Sequence, residues 1–162
     1  MVNLRPVAFV TAVFTVVCFV LSGLTVFAQP DVSASCAALM VAETGELIYG
    51  KNEHDRRSMA STTKIMTSLL AIEALTPQRK ITVSADMLNV EGTSMGLLPG
   101  DTVTLEGLVY GMLLQSGNDA ANVTAITLGG NVENFVSMMN KRAGEIGMND
   151  THFETPSGLD SK

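Results

Sequence analysis

Apolar residues recur along this 162-residue chain at changing periods, and each change marks an element. Residues 7–26 form an almost unbroken apolar run. Further on, strands are predicted over residues 37–42 and 46–49, turning at Thr44-Gly45. Over residues 58–75 the period becomes helical. Met59, Ile65, Met66, Leu69, Leu70, Ile72 and Leu75 form an apolar stripe expected to seat this helix inside the domain. Thr76-Pro77 ends it, because proline cannot continue a helix. Short extended pieces are predicted at 81–83 and 102–104, around the turn Leu98-Pro99-Gly100-Asp101. Leu105, Leu108, Val109, Met112 and Leu113 fall at i, i+3, i+4, i+7 and i+8, which predicts a helix over 105–115. Two more helices follow over 119–128 and 132–146, with Gly129-Gly130 and Gly147 as breaks. No internal repeat or low-complexity linker interrupts the pattern, so the elements belong to a helix-rich α/β domain with little sheet.

Two short motifs carry candidate chemistry. In Ser61-Thr62-Thr63-Lys64, serine and lysine stand three apart at a predicted helix start, so both side chains emerge on one face. A serine hydroxyl needs an adjacent base to become a useful nucleophile, and lysine supplies one when desolvation or nearby positive charge lowers its pKa. The helix N-terminus would also favour negative charge developing at Ser61. Ser-x-x-Lys alone is weak, since a helix-start serine with a solvated lysine gives the same tetrad. The second motif, Ser116-Gly117-Asn118, follows the 105–115 helix and caps its end. Ser116 could relay a proton to a leaving amine, and the Asn118 amide could hold a substrate backbone. Taken singly, Ser-Gly-Asn is equally a helix-ending turn, for which all three residue types are suited.

Together the motifs resemble a family. The strings 59–67 (MASTTKIMT), 114–122 (LQSGNDAAN) and 151–160 (THFETPSGLD) are similar to the D-alanyl-D-alanine carboxypeptidases, the low-molecular-mass penicillin-binding proteins. Residues 42–52 resemble that family's opening hairpin, and 96–101 the segment before its second motif. The resemblance implies a β-lactamase/DD-peptidase-like α/β fold, here the helical subdomain with the first two strands of an antiparallel sheet. It implies Ser61 as acyl-ester nucleophile, Lys64 as proton acceptor, Ser116 as proton donor to the leaving D-alanine, and Asn118 as substrate-binding amide. The Ser61 N–H would form half of the oxyanion hole. The implied substrate is the D-alanyl-D-alanine end of a peptidoglycan stem peptide, with β-lactams as covalent inhibitors. A third motif, Lys-Thr-Gly or Lys-Ser-Gly, is expected on a later strand, yet neither tripeptide occurs and Lys162 is the last residue. The chain is therefore expected to stop inside the domain and to turn over poorly, since losing one oxyanion donor alone costs on the order of 100- to 1,000-fold. The alternatives are a non-catalytic, envelope-associated or vestigial fragment, and a class A β-lactamase. The lactamase fits less well, because Ser116-Gly117-Asn118-Asp119-Ala120-Ala121 has the peptidase form.

Composition adds most at the start of the chain. Arg5, the run 7–26 and Val26-Phe27-Ala28 read as a secretory signal peptide over 1–28, cleaved after Ala28. Removal leaves 134 residues, 162 less 28, enough for one core and expected to be the N-terminal part of a DD-peptidase catalytic domain. The competing reading is a retained membrane anchor, since about 20 apolar residues can span a bilayer. Ser33-Ala34-Ser35 lacks the apolar residue of a lipoprotein signal before Cys36. Export places the protein outside the cytoplasm, in the cell envelope, with membrane association through this segment or a C-terminal tail. Cys36 is the only cysteine outside the signal, so no intramolecular disulfide is expected, and it reads as a small buried strand residue. A net charge of −6, with Arg56-Arg57 the largest basic run, argues against nucleic acid. No cluster of His, Cys and carboxylates suggests zinc and no glycine loop suggests a phosphate, so neither metal nor cofactor is expected. His54 and His152 read as surface or loop residues, and the sequons at Asn122 and Asn149 as chance.

Overall fold

The computed structural model describes residue 30 and residues 32–159, which form two units divided between Asp55 and Arg56. The predicted signal segment and Cys18 lie outside the described residues.

The first unit is a hairpin of β1 (Ala37–Met40) and β2 (Leu47–Lys51), paired antiparallel from Ala37 opposite Lys51 to Met40 opposite Leu47, with an irregularity between Leu39 and Met40. Its turn closes with Gly45 N–H donating to the Val41 carbonyl and Val41 N–H to the Glu46 carbonyl. Cys36 corrects the expectation of a buried strand residue. It stands one position ahead of β1 and is half-buried, because the strand begins at Ala37.

The second unit holds the helices. A 3-10 turn (Ala60–Thr63) runs directly into α1 (Lys64–Glu73), so Ser61 belongs to the tighter turn and Lys64 opens the α-helix proper. A small sheet follows, β3 (Lys80–Thr82) against β4 (Thr102–Thr104), with Ile81 opposite Val103. Between these strands lies a second 3-10 turn, Ala85–Leu88, which the hydrophobic pattern did not announce. The helix predicted over 105–115 is α2 (Leu105–Gln115), capped by the Thr104 hydroxyl accepting from Gly107 N–H at 3.0 Å. Helices α3 (Asn118–Gly129) and α4 (Val132–Glu145) match the remaining predictions within one or two residues. The Asn131 side chain caps α4 by accepting from Asn134 N–H at 2.7 Å.

Helix α3 lies between two clusters of core residues. Ala120, Ala121 and Val123 join Leu105, Leu108, Met112, Ile81 and Val83, whereas Ala125 joins Met66, Phe135, Met139, Ala143 and Phe153. Every residue from Asn118 to Ala125 is buried, as expected for a helix packed on all sides.

The stripe assigned to the Ser61 helix requires correction. Met66 is buried and Leu69 and Leu70 pack half-buried on the second cluster, but Met59, Ile65, Ile72 and Leu75 are exposed, Leu75 at 86%. The face of α1 turned inward carries Lys64, Thr67, Ser68 and Ala71, spaced i, i+3, i+4 and i+7. Periodicity reports an apolar stripe but not what covers it, and here Lys64 and Thr67, with partners in α4 and in residues 156–157, win the interior. The outward stripe meets α2 in a trough of about 410 Å³ lined by Ile72, Leu75, Val109, Tyr110 and Leu113.

Candidate active site

The 3-10 turn aligns the first two candidates. Side chains three apart eclipse in that geometry, and Lys64 Nζ donates to Ser61 Oγ at 3.1 Å. Ser61 is exposed while Lys64 is 1% exposed, the largest of the fully buried side chains. The lysine head also donates to Ser116 Oγ at 3.4 Å and to the Ser157 carbonyl at 3.0 Å. Burial disfavours the ammonium, so the Lys64 pKa is lowered from 10.5. A reachable hydroxyl thus sits on an amine whose neutral form is favoured by its surroundings.

Backbone strain brackets this group. Ala60 and Ser116 adopt left-handed φ values of 46° and 56°. For residues other than glycine such conformations cost of order 1–3 kcal/mol and persist only where neighbours over-determine them. Ser116 ends α2 with its N–H donating to the Gly111 carbonyl, and on its other side the neighbours belong to residues 91–97. Thr93 Oγ1 donates to the Ser116 carbonyl at 2.7 Å, and Asn118 N–H donates to the Thr93 carbonyl at 2.7 Å. Asn118 is 3% exposed, donating Nδ2 to the Glu91 carbonyl at 2.7 Å while Oδ1 has no partner. It borders a cleft of about 650 Å³ shared with Asn122, Val132, Pro156 and Leu159.

Four groups escaped the sequence reading. The Ser157 carbonyl takes one lysine N–H, and backbone acceptors leave no residue-type signal. Thr67 Oγ1 donates to the Pro156 carbonyl at 2.7 Å, fastening the same segment to α1. Gly158 has φ +81°, and a Cβ built there would stand 1.8 Å from the Ala60 carbonyl oxygen. Only glycine lets residues 155–159 lie this close behind Ser61; the Pro156-Ser157-Gly158 turn signal could have drawn attention to it. Asp119 is the fourth. Its carboxylate accepts from Ser94 Oγ at 2.6 Å, from the N–H groups of Met95, Gly96 and Leu97 at 2.9, 3.1 and 3.1 Å, and from Ala120 N–H at 2.8 Å. Burial pushes its pKa upward, but the bonds from Ser94, Met95, Leu97 and Ala120 outweigh that and hold it below the ordinary value.

The structure therefore brings Ser61, Lys64 and Ser116 into one hydrogen-bonded group, with Asn118 held next to Ser116 by residues 91 and 93. The other singled-out residues take no part in these hydrogen bonds. His54 and His152 are exposed, and Asn122 spends its amide on the Met87 carbonyl at 2.7 Å. Among the described residues no group of His, Cys and carboxylates could hold a metal ion.

The comparisons with known proteins fall on this arrangement. A family described as D-alanyl-D-alanine carboxypeptidase, peptidase S11, matches residues 24–162. The carboxypeptidase DacF of Bacillus subtilis is 38% identical over 131 residues, covering 78% of this chain and 34% of the relative. DacD of Escherichia coli is 36% identical over 143 residues, covering 82% and 37%. The chain spans about a third of the length of these curated relatives. Among solved structures, DacD from Francisella tularensis has a TM-score of 0.78 at 36% identity, covering 83% of this chain and 34% of that one. Penicillin binding protein 6B from Escherichia coli has a TM-score of 0.77 at 35% identity, covering 84% and 46%. The four helices and two small antiparallel sheets are thus part of a DD-peptidase fold, and nothing in these matches favours the class A β-lactamase reading. With that fold built around the serines and lysine just described, the chain belongs to the D-alanyl-D-alanine carboxypeptidase family.

Proposed function

We propose that this chain carries the nucleophile and proton-handling groups of a serine D-alanyl-D-alanine carboxypeptidase. The observation that supports it most is the Lys64 head, buried and in reach of two serine hydroxyls and one carbonyl. A neutral amine has two N–H donors and one lone pair. The Ser157 carbonyl can only accept, so one N–H is committed to it. The other N–H and the lone pair are divided between Ser61 and Ser116, and either serine can receive the lone pair while its companion receives the N–H.

That division gives the order of events. With the lone pair on Ser61, Lys64 takes the hydroxyl proton as Ser61 Oγ bonds to the carbonyl carbon of the penultimate D-alanine. The resulting oxyanion lies at the N-terminal end of the 3-10 turn and α1, where backbone N–H groups favour negative charge. Collapse breaks the C–N bond while Ser116 O–H protonates the departing nitrogen, and Ser116 regains a proton from the Lys64 ammonium. D-Alanine leaves, the acyl group stays on Ser61, and water attacks the ester with Lys64 again accepting the proton; collapse breaks the ester C–O bond, and the Lys64 ammonium returns that proton to Ser61 Oγ as the acid departs. Asn118 holds the acyl portion of the stem peptide from the cleft beside it. A β-lactam acylates Ser61 in the same way. The substrate places this chemistry outside the cytoplasm, in the cell envelope, reached through the signal segment 1–28. Among the described residues no helix is long and apolar enough to cross a membrane.

Labelling the complete gene product with a fluorescent penicillin tests the reading. A covalent band is expected for the native protein and none for Ser61→Ala, with Lys64→Met slowed by the 100- to 10,000-fold typical of losing a general base. Undiminished labelling of Ser61→Ala would refute it.

A further inference from the structure

Asp119 touches neither Ser61 nor Lys64, yet it is the most heavily bonded side chain near them, accepting from five donors. Four of these belong to residues 94–97, and residues 91 and 93 just before them make three hydrogen bonds to the second motif. Thr93 Oγ1 reaches the Ser116 carbonyl, the Thr93 carbonyl takes Asn118 N–H, and the Glu91 carbonyl takes Asn118 Nδ2. Contact is close enough that a Cβ on Gly92 would lie 2.5 Å from Asn118 Nδ2. Residues 91–97 are a strap laced to 116–119, with Asp119 as its anchor.

The strap matters because of Ser116. Its left-handed backbone closes α2 with its N–H on the Gly111 carbonyl and leaves its own carbonyl to Thr93, and its hydroxyl is already at the long end of bonding distance from Lys64, 3.4 Å. Ser61 is held independently, by the 3-10 turn and by the Ser157 and Gly158 segment behind it. Loosening the strap should therefore free one serine and leave the other in place.

Resting on the carboxypeptidase reading, we infer that Asp119 is a positioning residue for proton delivery by Ser116: through residues 91–97 it holds that hydroxyl against Lys64, and so governs protonation of the leaving group rather than attack by Ser61. Expelling an amine requires a proton on nitrogen as the C–N bond breaks. Expelling a thiolate does not, because a thiol ionises near pH 8.5. An acyl donor of one structure offered as amide and as thioester thus separates the two roles.

The experiment measures acylation rates of the complete gene product with an N-acyl-D-alanyl-D-alanine peptide and with its analogue carrying sulfur in place of the scissile nitrogen. Asp119→Asn is expected to slow the amide by about 100-fold and the thioester by less than about 3-fold, since a positioned general acid contributes 100- to 10,000-fold. Lost folding alone would lower both rates together, so parallel losses, or no loss, overturn the inference. Should Asp119→Asn fail to fold, Thr93→Val decides. It removes one lacing bond at an exposed residue and is expected to slow the amide by about 10-fold, a fraction of the general-acid contribution, with the thioester unchanged. Unselective behaviour of that variant overturns the inference equally. A native protein inert to both donors overturns the functional reading itself, whereas an active native protein with unselective variants overturns only the role of Asp119.

Discussion

Replacing Gly158 by alanine puts a methyl group where the Ala60 carbonyl oxygen now lies. The built Cβ stands 1.8 Å from that oxygen and 2.8 Å from Thr63 Oγ1. Ordinary contact begins near 3.4 Å, so one backbone must retreat by roughly 1.6 Å. Alanine at φ +81° adds about 1–2 kcal/mol for the left-handed conformation, and overpacking adds about 1–3 kcal/mol. A total near 2–5 kcal/mol corresponds to a fall in melting temperature of roughly 10 °C or more for a unit of this size. The functional effect should be larger than the structural one. Ala60 precedes Ser61, the proposed nucleophile, and a displacement near 1 Å can cost about 100-fold in rate. Gly130→Ala is the control, because Gly130 has φ +79° with nothing within 4 Å of a built Cβ. It should show the conformational cost of about 1–2 kcal/mol alone and label with penicillin at the native rate. Melting curves and penicillin acylation rates measure both variants. If Gly158→Ala acylates as fast as the native protein and melts with Gly130→Ala, the clash behind Ser61 does not control the nucleophile and the reasoning fails.

Two further outcomes are expected. The Lys64 pKa is lowered in the folded state by burial, so between that lowered value and 10.5 the unfolded chain binds more protons and stability rises with pH. Unfolding free energies of the native protein relative to Lys64→Met should therefore climb as pH rises from that lowered value toward 10.5, and a flat difference would contradict a strained ammonium. Asn140 brackets Phe153, with Nδ2 donating to its carbonyl and Oδ1 accepting its N–H, both at 2.8 Å. Asn140→Ala leaves two buried backbone groups unpaired at about 1–3 kcal/mol each, and the Phe153 amide should exchange with solvent far faster; native protection in the variant would count against this bracket.

How far the fold could be read in advance depended on what each element needed. Helix α2 was predicted with its observed ends because a threonine cap and a complete stripe of Leu105, Leu108 and Met112 specify it locally. The β1/β2 turn was legible from Thr44-Gly45, which supplies a positive φ at Gly45. The α1 stripe misled because burial depends on partners far along the chain. Thr67 and Lys64 are drawn inward by carbonyls at 156 and 157, about 90 positions away, and no local pattern carries that information.

The candidate site divides in the same way. Ser61 and Lys64 were legible because their relation is local: three residues on a tight helical turn meet whatever surrounds them. Ser116 and Asn118 were legible as types with suitable chemistry in a recognisable string, but their distance from Lys64 belongs to the packing of α1, α2 and α3. The Ser157 carbonyl, the strap of residues 91–97 and the glycine behind Ser61 were decided only by the tertiary structure. Their parts are played by backbone groups and by the absence of a side chain, and residue identity says little about where a carbonyl points or how close two backbones come.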